Sequence, residues 1–211
     1  RAERMLLAVG TAPATSGIGL EMAGIEVDDR GFIKVDEMMR TTAPGIWAAG
    51  DVIGGMMIAT VGAREGIVAV DNMFDPGCGC RMDYLSAPMA IFTDPEIGMV
   101  GHTEVSAVRS GYDVLTNILP VAAIPKAHVT GQTAGAIKMI ADRKSRRVLG
   151  VHLSCRNGAE LINEAALALR CKLTIEELAN ILHVYPSMGE GLRLCAQGFS
   201  RDISRLSCCA E

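Results

Sequence analysis

Two adjacent thiols near the end of the chain, in Leu206-Ser207-Cys208-Cys209-Ala210-Glu211, are the residues whose chemistry is easiest to name. Neighbouring Cα atoms lie about 3.8 Å apart across a trans peptide, well short of the roughly 5.5 Å that an unstrained disulfide prefers. The pair is therefore better suited to a soft metal than to a bridge. Thiolates select thiophilic ions such as Cu(I) and Zn and, by the same softness, Hg(II). Chain ends carry few packing constraints, so Cys208 and Cys209 are expected to form a delivery arm for a metal. The competing account is that seven cysteines in 211 residues fall side by side by chance.

Asp51 is the second candidate. It follows the apolar run Ile46 to Ala49, which reads as a buried strand, and ligands of open α/β folds bind at the carboxyl ends of strands. A carboxylate there can accept from a sugar or ribitol hydroxyl, and the helix beyond it offers free N–H groups and a positive dipole end. Alternatively, Asp51 only makes a turn with Gly50. Gly17 and Gly19 do not make a dinucleotide loop, because Met22 stands where the third glycine belongs.

A third cluster, His183, Tyr185 and Glu190, lies in His183-Val184-Tyr185-Pro186-Ser187-Met188-Gly189-Glu190. Pro186 fixes an extended entry and Ser187 is expected to start a helix, which presents Tyr185 at a loop-to-helix junction. A tyrosine hydroxyl on a rigid apolar ring can orient a ligand. Glu190 is also explained by a capping box with Ser187 alone. Cys78 and Cys80 read as a solvated pair, Cys155, Cys171 and Cys195 as small core residues, and His102, His128 and His152 as structural or exposed. No two cysteines are separated by two or four residues, so neither a C-x-x-C redox centre nor a zinc-ribbon spacing is present.

These residues need a scaffold, and the composition supplies one. Hydrophobic residues make up 49% of the chain, enough for a sizeable core. The net charge of −4 and only 4% aromatics argue against a nucleic-acid surface. No apolar run approaches the roughly 20 residues that span a bilayer. The irregular, odd cysteine set points to a reducing cytosol rather than a secreted disulfide framework. The start at Arg1 inside an apolar, strand-like stretch (Met5 to Gly10) suggests the back portion of a longer protein.

The patterning predicts a short strand over 31–36 and a helix from about Ile58 to Phe74, with Val61, Glu65, Val68 and Asn72 on one face. Asp75, Pro76 and Gly77 break it, and Cys78 to Asp83 reads as a linker. A second unit, 84–211, follows the first, 1–83. Its antiparallel strands are expected at 88–92, 98–101, 112–121, 135–141 and 148–154. Three closing helices are each expected to open on a capping box: Asn157 with Glu160, Thr174 with Glu177, and Ser187 with Glu190.

Thr41-Thr42-Ala43-Pro44-Gly45-Ile46-Trp47-Ala48-Ala49-Gly50-Asp51-Val52 resembles the second flavin-binding motif of the pyridine nucleotide-disulfide oxidoreductases. The stretch from Pro88 to Gly101, centred on Phe92-Thr93-Asp94-Pro95-Glu96-Ile97-Gly98, is similar to the opening of that family's dimerisation domain. The resemblance implies an α/β remnant of a flavin-binding domain followed by an α+β dimerisation domain, an antiparallel sheet with helices. It implies that Gly50, Asp51 and Ala59 contact FAD, with most of the FAD and NADPH sites in sequence outside this chain.

Many members carry a catalytic His–Glu pair in the last loop. Here Tyr185 stands at the His position and Glu190 is kept. Together with Cys208 and Cys209, this resembles the mercuric reductases of the family. The resemblance then implies a cytoplasmic homodimer in which Cys208 and Cys209 pass Hg(II) to the partner's redox dithiol, Tyr185 and Glu190 line the reaction site, and NADPH reduces Hg(II) to Hg(0) through FAD. This chain alone is expected to be inactive, and Glu211 replaces the family's usual terminal Gly. The alternatives are another disulfide reductase, related to dihydrolipoamide dehydrogenase, and a non-catalytic dimerisation module that binds soft metals.

Overall fold

A computed structural model describes residues 2–75 and 77–203 of the chain. Contacts divide it into two compact units, Arg1–Tyr84 and Leu85–Glu211.

In the first unit, two tight turns are each organised by an aspartate. Asp28 Oδ1 accepts from the amides of Arg30 and Phe32, both at 2.9 Å, and Asp36 Oδ1 accepts from Met38 and Arg40. Partial burial opposes ionisation of Asp36, but these amides and the Arg40 guanidinium outweigh it and lower its pKa. The turns leave isolated bridges, Val27 to Ile33, Val35 to Thr41 and Arg40 to Trp47, rather than continuous strands. Helix α1 (Ala59–Phe74) buries Val61, Glu65, Val68, Ala69 and Asn72, the face that the periodicity predicts. Val68 and Ala69 pack with Met39, and Trp47 and Ile53 lie against them.

The strand expected over 31–36 is reduced to the bridges at Ile33 and Val35, and two further expectations for this unit fail for want of a partner edge. The strand at 5–10 does not form, and Met5, Leu6, Leu7 and Val9 stand exposed. The run Ile46 to Ala49 makes one bridge and is half-buried or exposed rather than a buried strand. An apolar run becomes a strand only where a neighbour offers a hydrogen-bonding edge; Met5 to Gly10 meets none among the described residues, and Ile46 to Ala49 meets only the short stretch Met39–Thr41.

The second unit is built on a five-stranded antiparallel sheet: β1 (Met89–Ile91), β2 (Glu96–Gly101), β3 (Val114–Pro120), β4 (Ala136–Asp142) and β5 (Val148–Cys155), in the order β1-β2-β5-β4-β3. All five strands match sequence expectations within two residues. Alternation sends Ile137, Met139, Val151 and Leu153 into one core beneath α4 (Gly158–Arg170), α5 (Ile175–Asn180) and α6 (Glu190–Gln197). Lys138, His152 and Ser154 occupy intervening positions and are only partly buried. Helix α2 (Glu104–Arg109) brings Ala107 against Ile140 and Leu149 in a separate small cluster. Helices α2 and α3 (Pro125–Thr130) have no counterpart in the sequence reading, because six residues are too few for a helical period to stand out.

Of the three expected capping boxes only Thr174 with Glu177 forms. Asn157 adopts φ 59° and makes no side-chain cap. Its task passes to Glu96 on β2, whose carboxylate accepts from Ala159 N–H at 2.9 Å. Ser187 lies outside α6 and only weakly accepts from Glu190 N–H, at 3.4 Å, while Glu190 turns forward to Arg193. Cys171, expected in the core, is exposed at the end of α4. Among the described residues no helix is long and apolar enough to cross a membrane.

Thr174→Ala is expected to lower the unfolding free energy in denaturant titration by about 1 kcal/mol, the usual worth of a good N-cap. Ser187→Ala should change it measurably less, because its single contact with Glu190 N–H is long and weak.

Candidate functional site

The Gly50-Asp51 turn is held from below by one buried carboxylate. Glu65, 2% exposed, accepts from Gly50 N–H through Oε2 at 2.8 Å and from the Tyr84 hydroxyl through Oε1 at 2.7 Å. Burial, and then the hydrogen bond and charge of Glu65, push the Tyr84 pKa upward, so the phenol remains a donor. Helix α1 also approaches this turn closely. A Cβ added at Gly62 would lie 3.0 Å from Gly50 Cα, so a larger residue there would press on the turn.

Above this support the turn presents three features together. Asp51 is exposed, and its carboxylate has no partner among the described residues. The short 3-10 turn Asp51–Ile53 follows Gly50. Helix α1 then begins at Ala59 with no side-chain cap, leaving its first amides without intrahelical partners and its positive dipole end open. An acceptor beside uncapped donors fits a hydroxyl-bearing, electron-rich group such as the ribityl chain and ring of a flavin.

The loop that carries Tyr185 is pinned to α4. His183 Nε2 lies 2.8 Å from Glu164 Oε1, its Nδ1 lies 3.0 Å from the Ile181 carbonyl, and its side chain is 9% exposed. A Cβ at Gly189 would meet His183, Ser187 and Glu164 at ordinary contact distance, which puts these groups in one cluster. Around the anchor, Leu182 (91% exposed), Val184 and Tyr185 project outward. Glu190 is buried, with Oε1 2.9 Å from Arg193 Nη2. Its Oε2 has no partner among the described residues, an uncommon state for a buried carboxyl oxygen and one that fits a group able to take a ligand.

Burial pushes the Cys155 thiol up to about 11, with the charge of Glu96 adding to it. Burial also pushes the Cys195 thiol up to about 12, against hydrogen bonds that favour its anion. Both are unreactive core residues, as expected. Cys208 and Cys209 lie outside the described residues. Sequence reasoning missed the supports Glu65, Glu164 and Arg193. Glu65 had a visible signal, a carboxylate in the apolar stripe of α1. Glu164 had none, since its partner is nineteen residues away.

The family model described as pyridine nucleotide-disulphide oxidoreductase, dimerisation domain, matches residues 87–196, and the model described as pyridine nucleotide-disulphide oxidoreductase matches residues 1–66. The chain belongs to the pyridine nucleotide-disulphide oxidoreductase family. It is 39% identical to the mercuric reductase of Bacillus cereus, over 99% of this chain and 33% of that protein. It is 40% identical to the mercuric reductase of Acidithiobacillus ferrooxidans, over 100% of this chain and 38% of that protein. The chain thus spans little more than a third of the length of these curated relatives. Among solved structures it is similar to the Cu(II) complex of RclA, an HOCl-induced flavoprotein disulfide reductase from Escherichia coli. The TM-score is 0.81 and the identity 35%, covering 92% of this chain and 44% of that one. Membership of this oxidoreductase family implies flavin and pyridine-nucleotide chemistry.

Glu65→Ala strands the Gly50 amide and the Tyr84 hydroxyl. Denaturation should show a loss of about 2 kcal/mol or more, from desolvated donors without acceptors. Glu65→Gln, which retains one acceptor oxygen, should lose less. Thiol labelling of the reduced, folded chain at pH 8 should modify Cys171 rapidly. Cys155 and Cys195 should stay protected, because their raised pKa values keep them as thiols well above that pH. Unfolding should abolish the difference.

Proposed function

We propose that this chain is the C-terminal portion of a flavin-dependent mercuric reductase that uses NADPH to reduce Hg(II) to Hg(0). The observation that carries the reading is the 39–40% identity to mercuric reductases over essentially all of the chain. Two residue choices agree with it: Tyr185 at the position where many relatives carry a catalytic His, and the terminal Cys208-Cys209 pair. In this reading residues 1–83 complete the nucleotide- and FAD-binding region, and residues 84–211 form the dimerisation domain of a cytoplasmic homodimer.

Each residue then has a task. Asp51 accepts from a ribityl hydroxyl, while Gly50 and Ala59 bring backbone and helix terminus close to the flavin. FAD, when bound, relays two electrons from NADPH, so that Hg(II) and NADPH give Hg(0), NADP+ and a proton. Cys208 and Cys209 capture Hg(II) from small thiols by exchange, forming two S–Hg bonds as two thiol ligands leave. They carry it to the redox dithiol of the neighbouring subunit, and tethering raises their effective concentration over free thiols. Tyr185, exposed beside Leu182 and Val184, lines the metal's path as a hard, rigid group that does not trap a soft ion. Glu190 keeps one carboxylate oxygen available in the site. A disulfide reductase reading is disfavoured because Tyr185 is a poor base at neutral pH.

In the intact enzyme, Cys208→Ala with Cys209→Ala should reduce kcat/KM at least about tenfold with mercury supplied as a dithiol or glutathione complex, in line with the loss of a tethered ligand pair. Unchanged turnover would remove the delivery role. Mercury titration of the reduced chain, followed by thiolate-to-mercury charge-transfer absorption, should show a tight site lost in the same double variant.

A further inference from the structure

Cys78 and Cys80 are joined as a disulfide, with Cα atoms 5.2 Å apart, inside the roughly 4.4–6.8 Å over which two cysteine side chains meet. The backbone is built to hold that spacing. Asp75 accepts from Gly77 N–H through Oδ1 at 3.0 Å and from Cys78 N–H through its carbonyl at 2.9 Å. Gly79 takes φ +57°, the left-handed conformation that lets the chain reverse between the two thiols. Buried Asn72 of α1 donates from Nδ2 to the Cys80 carbonyl at 2.8 Å, and Cys80 rests against the Met39, Val68 and Ala69 cluster. One sulfur is thus seated on the first unit's core, while Cys78 is exposed to solvent.

We infer that the reduced Cys78-Gly79-Cys80 pair is a second capture site for a two-coordinate thiophilic cation of the Hg(II) class, separate from the terminal cysteines. The ligand count selects the ion. Among the described residues no group of three or more His, Cys, Asp or Glu side chains could hold a metal, whereas structural zinc requires four ligands. Two thiolates satisfy a soft ion that prefers two. Binding breaks two S–H bonds, forms two S–Hg bonds and releases two protons, with no change in the oxidation state of sulfur or mercury. The disulfide closes the site. A small-molecule thiol reductant reopens it by donating two electrons and two protons and becoming a disulfide itself, and Cys78 is accessible for that exchange.

The site stands on local geometry and does not depend on the mercuric reductase reading, so its test omits the terminal cysteines. The 211-residue chain carrying Cys208→Ser and Cys209→Ser is reduced, freed of reductant and titrated with HgCl2 in the presence of excess iodide, a competitor that draws mercury from single cysteines such as Cys171 without reducing disulfides. One mercury should be retained per chain, about 100-fold more tightly than in the variant that also carries Cys78→Ser and Cys80→Ser, as expected for a tethered pair against a free thiol. The same chain with its Cys78–Cys80 disulfide intact should retain none, a comparison that needs no further substitution. Equal retention by the reduced and disulfide forms, or by the variants with and without Cys78 and Cys80, would overturn the inference.

Discussion

A single buried carboxylate organises the first unit. Glu65 is nearly inaccessible, and a carboxyl group so deeply buried is costly unless its oxygens are engaged. The Gly50 amide and the Tyr84 hydroxyl engage them. These two bonds fix the turn that carries Asp51 and tie it to α1, and Gly62 permits the approach. The acceptor of Asp51 and the uncapped donors of α1 keep their spacing because the residue beneath them cannot move without stranding polar groups.

The same device recurs in the second unit. Glu96 on β2 caps α4 by accepting from Ala159 N–H, and Glu164 on α4 holds His183. The segment bearing Leu182, Val184 and Tyr185 is therefore fixed at His183 while its apolar side chains remain outside. A loop that exposes so much apolar surface beside a rigid anchor suits a surface that is covered by another chain, in keeping with the family's dimerisation domain. Reactive groups and inert ones are sorted by burial: Cys155 and Cys195 are neutralised by the core, and the exposed thiols are left for exchange.

What the sequence made legible was periodic or motif-bound. The sheet was visible because its apolar runs are bounded by turn residues: β2, β3 and β4 end at Gly101, Pro120 and Asp142. Helix α1 was visible because Val61, Glu65, Val68 and Asn72 recur at helical spacing. The Gly50-Asp51 turn and Tyr185 were visible from residue types around them. What failed depended on partners distant in sequence. Met5 to Gly10 has strand composition but no edge to pair with among the described residues. Asn157 and Ser187 have the chemistry of caps, yet Glu96 and Arg193, respectively, compete for the groups involved. Cys78 and Cys80 look like an incidental pair until Gly79 and Asn72 are seen to hold their backbone.

The most direct test of the account uses the intact enzyme supplied with FAD, comparing NADPH oxidation with thiol-complexed Hg(II) against oxidation with small disulfides, while elemental mercury is collected from the gas phase. The account expects NADPH consumption that requires Hg(II), with one Hg(0) released per NADPH and little turnover of disulfides. Rapid disulfide reduction with no Hg(0) release would contradict it and make the protein a disulfide reductase that works with Tyr185 in place of the family's catalytic His.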